Sequence, residues 1–318
     1  MINFEAQGDE LDRSVAFGCD VVCENAQARE FVRSWLHDAK LPWPGPFQIT
    51  IHVGGDNPFP PDTRESFNQP SLTVQGGPPS GAVRITWTYA PAAAEVHATR
   101  PEAVVWLSPE AVDAAEAGER SFFLVVLIFL MRRLGWYHVH GASFIDPLGR
   151  GWLMAGDSNC GKSTTTALVA SRGWKVGTDD IGFLAREGEH IVSRGMRTTI
   201  GLRPGGVALL GAKGGRYLQD RNKEAYWPEE LGGGWAPIVT PEIIVFPRLG
   251  ERTSVVRAPA RTALSSMVMW SIWVLCEPQF AQEHLDVLGQ VARQSRCFDL
   301  TLGPDLFDHP TLLEALIP

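Results

Sequence analysis

Positive charge is in deficit in this sequence of 318 residues, cysteines are few, and extended apolar runs are scarce. With 28 basic against 36 acidic residues, a net charge of -8 and a pI near 5.5, the chain has no broad basic field to attract DNA, RNA or an anionic membrane, so nucleic acid is not an expected partner. The five cysteines (Cys19, Cys23, Cys160, Cys276 and Cys297) are odd in number and scattered. That suits a reducing compartment better than a disulfide framework. Cys19 and Cys23 have no second ligand pair nearby, so no zinc site is expected. The one extended apolar stretch, Phe122 to Met131, is far shorter than the roughly 20 residues a membrane span requires, and it ends in Arg132 and Arg133. It reads as a buried core helix. The start, MINFEAQGDELDR, is acidic and lacks the basic and apolar parts of a secretory signal, so a cytoplasmic location is expected. Internal repeats and low-complexity tails are absent as well.

What is present is the composition of a folded protein, 44% hydrophobic and 20% charged, with length for one large or two ordinary domains. Residues 1–110 read as a β-rich N-terminal region of unassigned role. Its strand signals are FQITIHV near 48–53 and AVRITWTYA at 82–90, separated by Pro- and Gly-rich segments. Residues 111–318 read as a second domain, opened by a helix over Glu110–Gly135. Then come a strand (WYHVHGASFI), a turn, a strand (WLMA), a glycine-rich loop, a helix (KSTTTALVASR), a strand (WKVG) and Asp179-Asp180, a succession of the α/β kind. A hairpin follows from Ile181, with its tip at Glu187-Gly188-Glu189. Residues 205–234 are so rich in glycine and charge that they read as an irregular, mobile excursion, with Lys213, Arg216, Arg221 and Lys223 able to meet phosphate on closure. PEIIVFPR at 241–248 is another strand, and the remainder reads as mostly helical.

Gly156-Asp157-Ser158-Asn159-Cys160-Gly161-Lys162-Ser163 fits G-x-x-x-x-G-K-[ST] at every fixed position, after an apolar strand and before a helix. Polyphosphate binding explains the spacing. Backbone N–H groups wrap the phosphates, glycine permits close approach, and the helix aims its positive end at the anion. Lys162 then reaches the β/γ-phosphates and Ser163 offers its hydroxyl to Mg²⁺, with Thr164 continuing the nucleotide contacts. Asp179 and Asp180 end the next strand, where one carboxylate can hold Mg²⁺ and the other can accept a proton. An isolated Asp-Asp is more often a solvated turn or a helix cap; its position after this loop favours the site. His138 and His140 lie two apart in the preceding strand and share a face, although a strand histidine is more often structural.

The stretch HGASFIDPLGRGWLMAGDSNCGKSTTTALVASRGWKVGTDD, residues 140–180, resembles the HPr kinase/phosphorylase family and its wider set of related proteins. The resemblance implies an α/β fold with a P-loop core of the HPr kinase/phosphoenolpyruvate carboxykinase type, preceded by the smaller β-rich region. It implies ATP and Mg²⁺ as cofactors, His140 lining the site, Lys162 and Ser163 on nucleotide and metal, Asp179 as catalytic base and Asp180 as metal contact. The chain departs from the family at Asn159, where glycine is usual, and at Thr164, where an acidic residue is usual. TTIGLRPGG stands where the authentic enzyme has L-E-I-R-G-L-G, with Arg197 and Arg203 as candidates for phosphate contacts. The G-K-S-T form is more similar to related kinases of peptide or polysaccharide biosynthesis, including those that phosphorylate serine in lasso peptides.

The expected activity is therefore ATP- and Mg²⁺-dependent transfer of the γ-phosphoryl group to a hydroxyl-bearing acceptor: a serine of a peptide or protein, or a small molecule. A homo-oligomer is compatible with the sequence. The alternative is a nucleotide-binding regulator or scaffold without efficient transfer. A carboxykinase-like lyase comes third, because the chain is short for that enzyme and shows no clear Lys/His/Asp set for a second metal.

Overall fold

The structure is a computed structural model, which describes residues 19–39, 45–59, 67–69, 72–76, 81–87, 91–113, 119–218, 222–309 and 311–317. It is a mixed α/β protein with several sheets. The chain divides into two compact units, one of residues 1–137 with 273–282 and the other of residues 138–272 with 283–318. The division by compactness thus falls after Tyr137, beyond the boundary near residue 110 read from composition.

The first unit contains β1 (Cys19–Cys23), α1 (Ala26–Ala39), β2 (Phe47–Val53), β3 (Phe67–Gln69), β4 (Leu72–Gly76), β5 (Val83–Trp87), β6 (Ala92–Val96), β7 (Glu102–Leu107), α2 (Pro109–Asp113) and α3 (Glu119–Arg132). Its sheet runs β1-β2-β7-β6-β5-β4-β3, parallel across β1, β2 and β7 and antiparallel beyond. Strand residues alternate between buried and accessible, as in Phe47, Ile49 and Ile51 against Gln48 and Thr50, so one face is core and the other is polar. The apolar run Phe122–Met131 is α3, a core helix lying on β5, β6 and β7, with Phe123 meeting Phe31 and Trp35 of α1. The single helix expected over 110–135 is interrupted: α2 and α3 are separate, and Gly135 turns the chain with φ 74°. The two arginines that close the run are buried with it. Both converge on Glu277, Arg132 Nη1 at 3.4 Å and Arg133 Nη2 at 2.5 Å, while Arg132 also donates to the Trp273 carbonyl. No helix among the described residues is long and apolar enough to cross a membrane.

The second unit begins within β8 (Trp136–Ile145) and continues through β9 (Gly151–Ala155), α4 (Lys162–Ala170), β10 (Lys175–Thr178), β11 (Ile181–Glu187), β12 (His190–Gly195), β13 (Ile200–Leu202), α5 (Pro204–Leu210), β14 (Arg216–Leu218), β15 (Lys223–Tyr226), β16 (Gly234–Trp235), β17 (Ile238–Val239), β18 (Pro241–Leu249), β19 (Ser254–Arg257), α6 (Ala260–Met269), α7 (Pro278–Gln294), β20 (Arg296–Leu302), α8 (Asp305–Asp308) and α9 (Leu312–Leu316). The main sheet runs β17-β12-β11-β8-β9-β18-β20-β19, with β10 on β8 and β16 on β10. Strands β9, β18 and β20 are parallel. One side of α4 packs Leu168 and Val169 against Phe144, Trp152, Met154, Ile243, Val245 and Leu300 of this sheet.

One expectation is corrected in this unit. The segment 205–234 is not an irregular excursion. It holds α5, β14, β15, a 3₁₀ turn at Pro228–Leu231 and β16, and with β13 it builds a three-stranded sheet over the other side of α4. Tyr226 is fully buried there beside Ala167, Ala170 and Val176, so long-range burial orders a stretch whose local composition reads as loop. The tail after residue 248 is mostly helical, as expected, through α6, α7, α8 and α9, but it also holds two strands, β19 and β20, that the sequence reading did not name. RCFDLTL forms β20 beside β18, stabilised by the ladder between them rather than by a conspicuous strand pattern of its own.

Candidate active site

Strand β8 assembles the site because it lies between β9 and β10 and is antiparallel to both. Gly141 faces Ala155 on one side, while Ser143 faces Thr178 on the other. Two strands antiparallel to the same neighbour point the same way. The glycine-rich loop leaving Ala155 and the Asp179-Asp180 pair leaving Thr178 therefore emerge at one edge, where His140 of β8 also stands. The N–H of Gly141 donates to the Asp180 carbonyl at 3.1 Å and closes the corner. The crevice is thus that of a mixed sheet, in which the interposed strand β8 runs antiparallel to β9 and β10.

Within the loop, Gly156 is buried and Asp157, Ser158 and Asn159 are exposed, with the Ser158 N–H donating to Asp157 Oδ1 at 2.6 Å. Asn159 has φ 67° and Gly161 φ 101°, two left-handed residues that curl the backbone just before α4. Asn is among the L-residues that tolerate this region best, so the turn forms without a glycine at position 159. Lys162 opens α4, but its side chain folds back. Nζ donates to the carbonyls of Gly156 at 2.8 Å and Asp157 at 2.7 Å and lies 3.1 Å from His140 Nε2. Cys160 Sγ, 4.0 Å from the same ammonium, is half-buried, and burial pushes its thiol up. Thr164 is turned towards α5, where a Cβ on Gly206 would come within 3.3 Å of its hydroxyl.

His140 Nδ1 is 3.1 Å from Asp180 Oδ1. An ammonium can only donate, so Nε2 is the acceptor from Lys162 and the ring proton sits on Nδ1, donated to Asp180. Burial pushes the His140 imidazole down, more than offsetting the Asp180 charge that raises it, and Lys162 lowers it further. The ring is neutral at neutral pH. His138, on the same face of β8, is buried edge-on to Phe183 and pushed down to about 3 by burial and by His140. It packs as a core residue.

The two aspartates stand in different surroundings. Asp180 is 58% exposed in its side chain, whereas Asp179 is 5% exposed. Burial, then the Asp180 charge, pushes the Asp179 carboxyl up to about 6; hydrogen bonds with the Ser163 and Thr166 hydroxyls, and the charge of Lys223, pull it back down. Its Oδ1 is buried with no hydrogen-bond partner. A hydroxyl beside a buried carboxylate with an open oxygen suits a hard cation such as Mg²⁺, which is held by one or two protein oxygens plus phosphate and water. Among the described residues no cluster of three or more His, Cys, Asp and Glu could hold a metal unaided. Ser163 and Asp179 are thus the residues that fit the ion.

The arginines read from sequence are placed elsewhere in part. Arg197 stacks on Trp227 at 4.1 Å and pairs with Glu229, while Arg203 is exposed ahead of α5. Lys213 and Arg216 are exposed, and Arg221 lies outside the described residues. One residue escaped the sequence reading. Thr166 lies three positions after Ser163 and so on the same helix face, a signal that was there to be used. Lys223, read from sequence as able to meet phosphate, is placed by the three-stranded sheet where its charge acts on Asp179.

No protein-family model and no curated protein matches the chain. Among solved structures it is similar to the HPr(Ser) kinase/phosphatase from Coxiella burnetii, at 11% identity over 57% of this chain and 93% of that chain, with a TM-score of 0.31. A likeness at that TM-score carries no argument about activity.

Proposed function

We propose that the chain is an ATP- and Mg²⁺-dependent kinase that transfers the γ-phosphoryl group to a hydroxyl, either a serine of a peptide or protein or a hydroxyl of a small molecule. One observation carries the reading: a G-x-x-x-x-G-K-S loop places its lysine against a histidine–aspartate pair, and a second, buried aspartate meets the serine that follows the lysine. The loop's N–H groups and the start of α4 bind the phosphates. Lys162 exchanges its carbonyl partners for phosphate oxygens and holds the γ-phosphoryl group towards His140 and Asp180. Ser163 and Asp179 would hold Mg²⁺, which would supply positive charge to offset that of the triphosphate.

The surroundings favour a division of labour opposite to the one the resemblance implies. Asp179 faces Ser163 and serves the cation; Asp180, accessible and oriented by His140, accepts the proton of the attacking hydroxyl. Its oxygen forms the new bond to the γ-phosphorus, the β,γ bridging P–O bond breaks, and ADP leaves. Neutral His140 fixes Asp180 through Nδ1–H and positions Lys162 through Nε2.

Hydrolysis, transfer to water, tests this without knowledge of the acceptor. Asp180→Asn is expected to lower ADP formation about 10²–10⁴-fold, the usual contribution of a positioned base, with ATP·Mg²⁺ affinity unchanged within about twofold. Full turnover in this variant refutes the assignment of the base. Tight ATP·Mg²⁺ binding by the unaltered protein with no turnover, on water or on serine peptides, favours the regulator reading instead.

A further inference from the structure

We infer that Leu249, at the end of β18, is the shelf on which the base of a bound nucleotide rests, and that it sets the preference for a nucleoside triphosphate over a bare polyphosphate. The inference rests on the nucleotide reading of the loop and extends it to the half of the ligand that no motif addresses.

The loop has two flanks. On one lie β8 and β10, with His140, Asp179 and Asp180, which define where the terminal phosphate reacts. On the other lie the ends of β18 and β20, both parallel to β9 and so finishing at the loop's edge of the sheet. A polyphosphate held with its reacting end at the first flank leaves its nucleoside end to the second. Pro247 and Leu249, two apart in β18, project to the same face and touch the loop at its two fixed glycines. A Cβ placed on Gly156 would meet Pro247 Cδ at 3.1 Å, and one on Gly161 would meet Leu249 Cδ2 at 3.2 Å and Leu302 Cδ1 at 2.7 Å. Leu302 is buried in the core beneath, whereas Leu249 is 66% exposed. The second flank of the loop thus ends in an apolar surface that is supported from below and open above, which suits the flat, apolar face of a purine. Contact with a ring face does not read the ring's edge, so the shelf serves adenine and guanine alike.

The test compares ATP, GTP and inorganic tripolyphosphate, each with Mg²⁺, by calorimetry on the full chain. Leu249→Ala is expected to weaken ATP and GTP about tenfold, the order expected when most of a leucine's apolar contact is lost, with tripolyphosphate unchanged. Leu249→Met, which keeps volume and apolarity, is expected to retain wild-type affinity for all three. Unchanged ATP affinity in Leu249→Ala overturns the inference. An equal loss for ATP and tripolyphosphate also overturns it, because the side chain would then act through the loop. If the unaltered protein binds none of the three ligands, the nucleotide reading fails and the shelf with it. If it binds all three and only the shelf prediction fails, the loop reading stands.

Discussion

Replacing Asp179 by asparagine is expected to make the protein more stable while disabling it. The carboxyl is 5% exposed, and burial together with the neighbouring Asp180 charge pushes it from 3.8 up to about 6. At about 1.4 kcal/mol per pH unit, keeping it ionised inside the fold costs on the order of 3 kcal/mol. The sign follows from the raised value. Below about pH 4 the group is protonated in both folded and unfolded chains and costs nothing; the cost grows as pH rises towards 6 and is complete above it. Asn has nearly the same shape and no charge. In EDTA, Asp179→Asn should therefore match the wild type at pH 4 and exceed it by about 3 kcal/mol at pH 8, measured as the free energy of denaturant unfolding. The contrast is Asp180→Asn: its side chain is 58% exposed and its partner His140 is neutral, so stability should change by less than about 1 kcal/mol at either pH. Asp179→Asn should also lose Mg²⁺-dependent nucleotide binding. An equal effect of Asp179→Asn at pH 4 and pH 8, or destabilisation at pH 8, would refute the buried-charge reasoning.

Two further outcomes are expected. ATP·Mg²⁺ at one hundred times its Kd should stabilise the protein by about 2.7 kcal/mol, visible as a melting shift, and Lys162→Ala should abolish that shift; a shift that survives the substitution removes the loop lysine from the site. In the first unit, Glu277→Gln leaves the buried Arg132 and Arg133 without their shared carboxylate and should destabilise by about 3–5 kcal/mol in urea unfolding; a loss below about 1 kcal/mol would show that those arginines find other partners.

What the sequence determined by itself is local. The loop Gly156–Ser163 is legible because its glycines, lysine and serine are spaced by the backbone they must form, and because the apolar WLMA before it and the helix after it need only short-range pattern. Helix α3 is legible for the same reason, as an apolar run of helical length whose every turn is buried. What only the tertiary structure decided is long-range. Strand β20 exists because β18 lies beside it, and the glycine-rich segment after α5 is ordered because Tyr226 finds α4 to bury against. The contrast between Asp179 and Asp180 is of this kind too. Adjacent residues share every local signal, and only the placement of β8 between β9 and β10 turns one carboxylate inward to Ser163 and the other outward to His140.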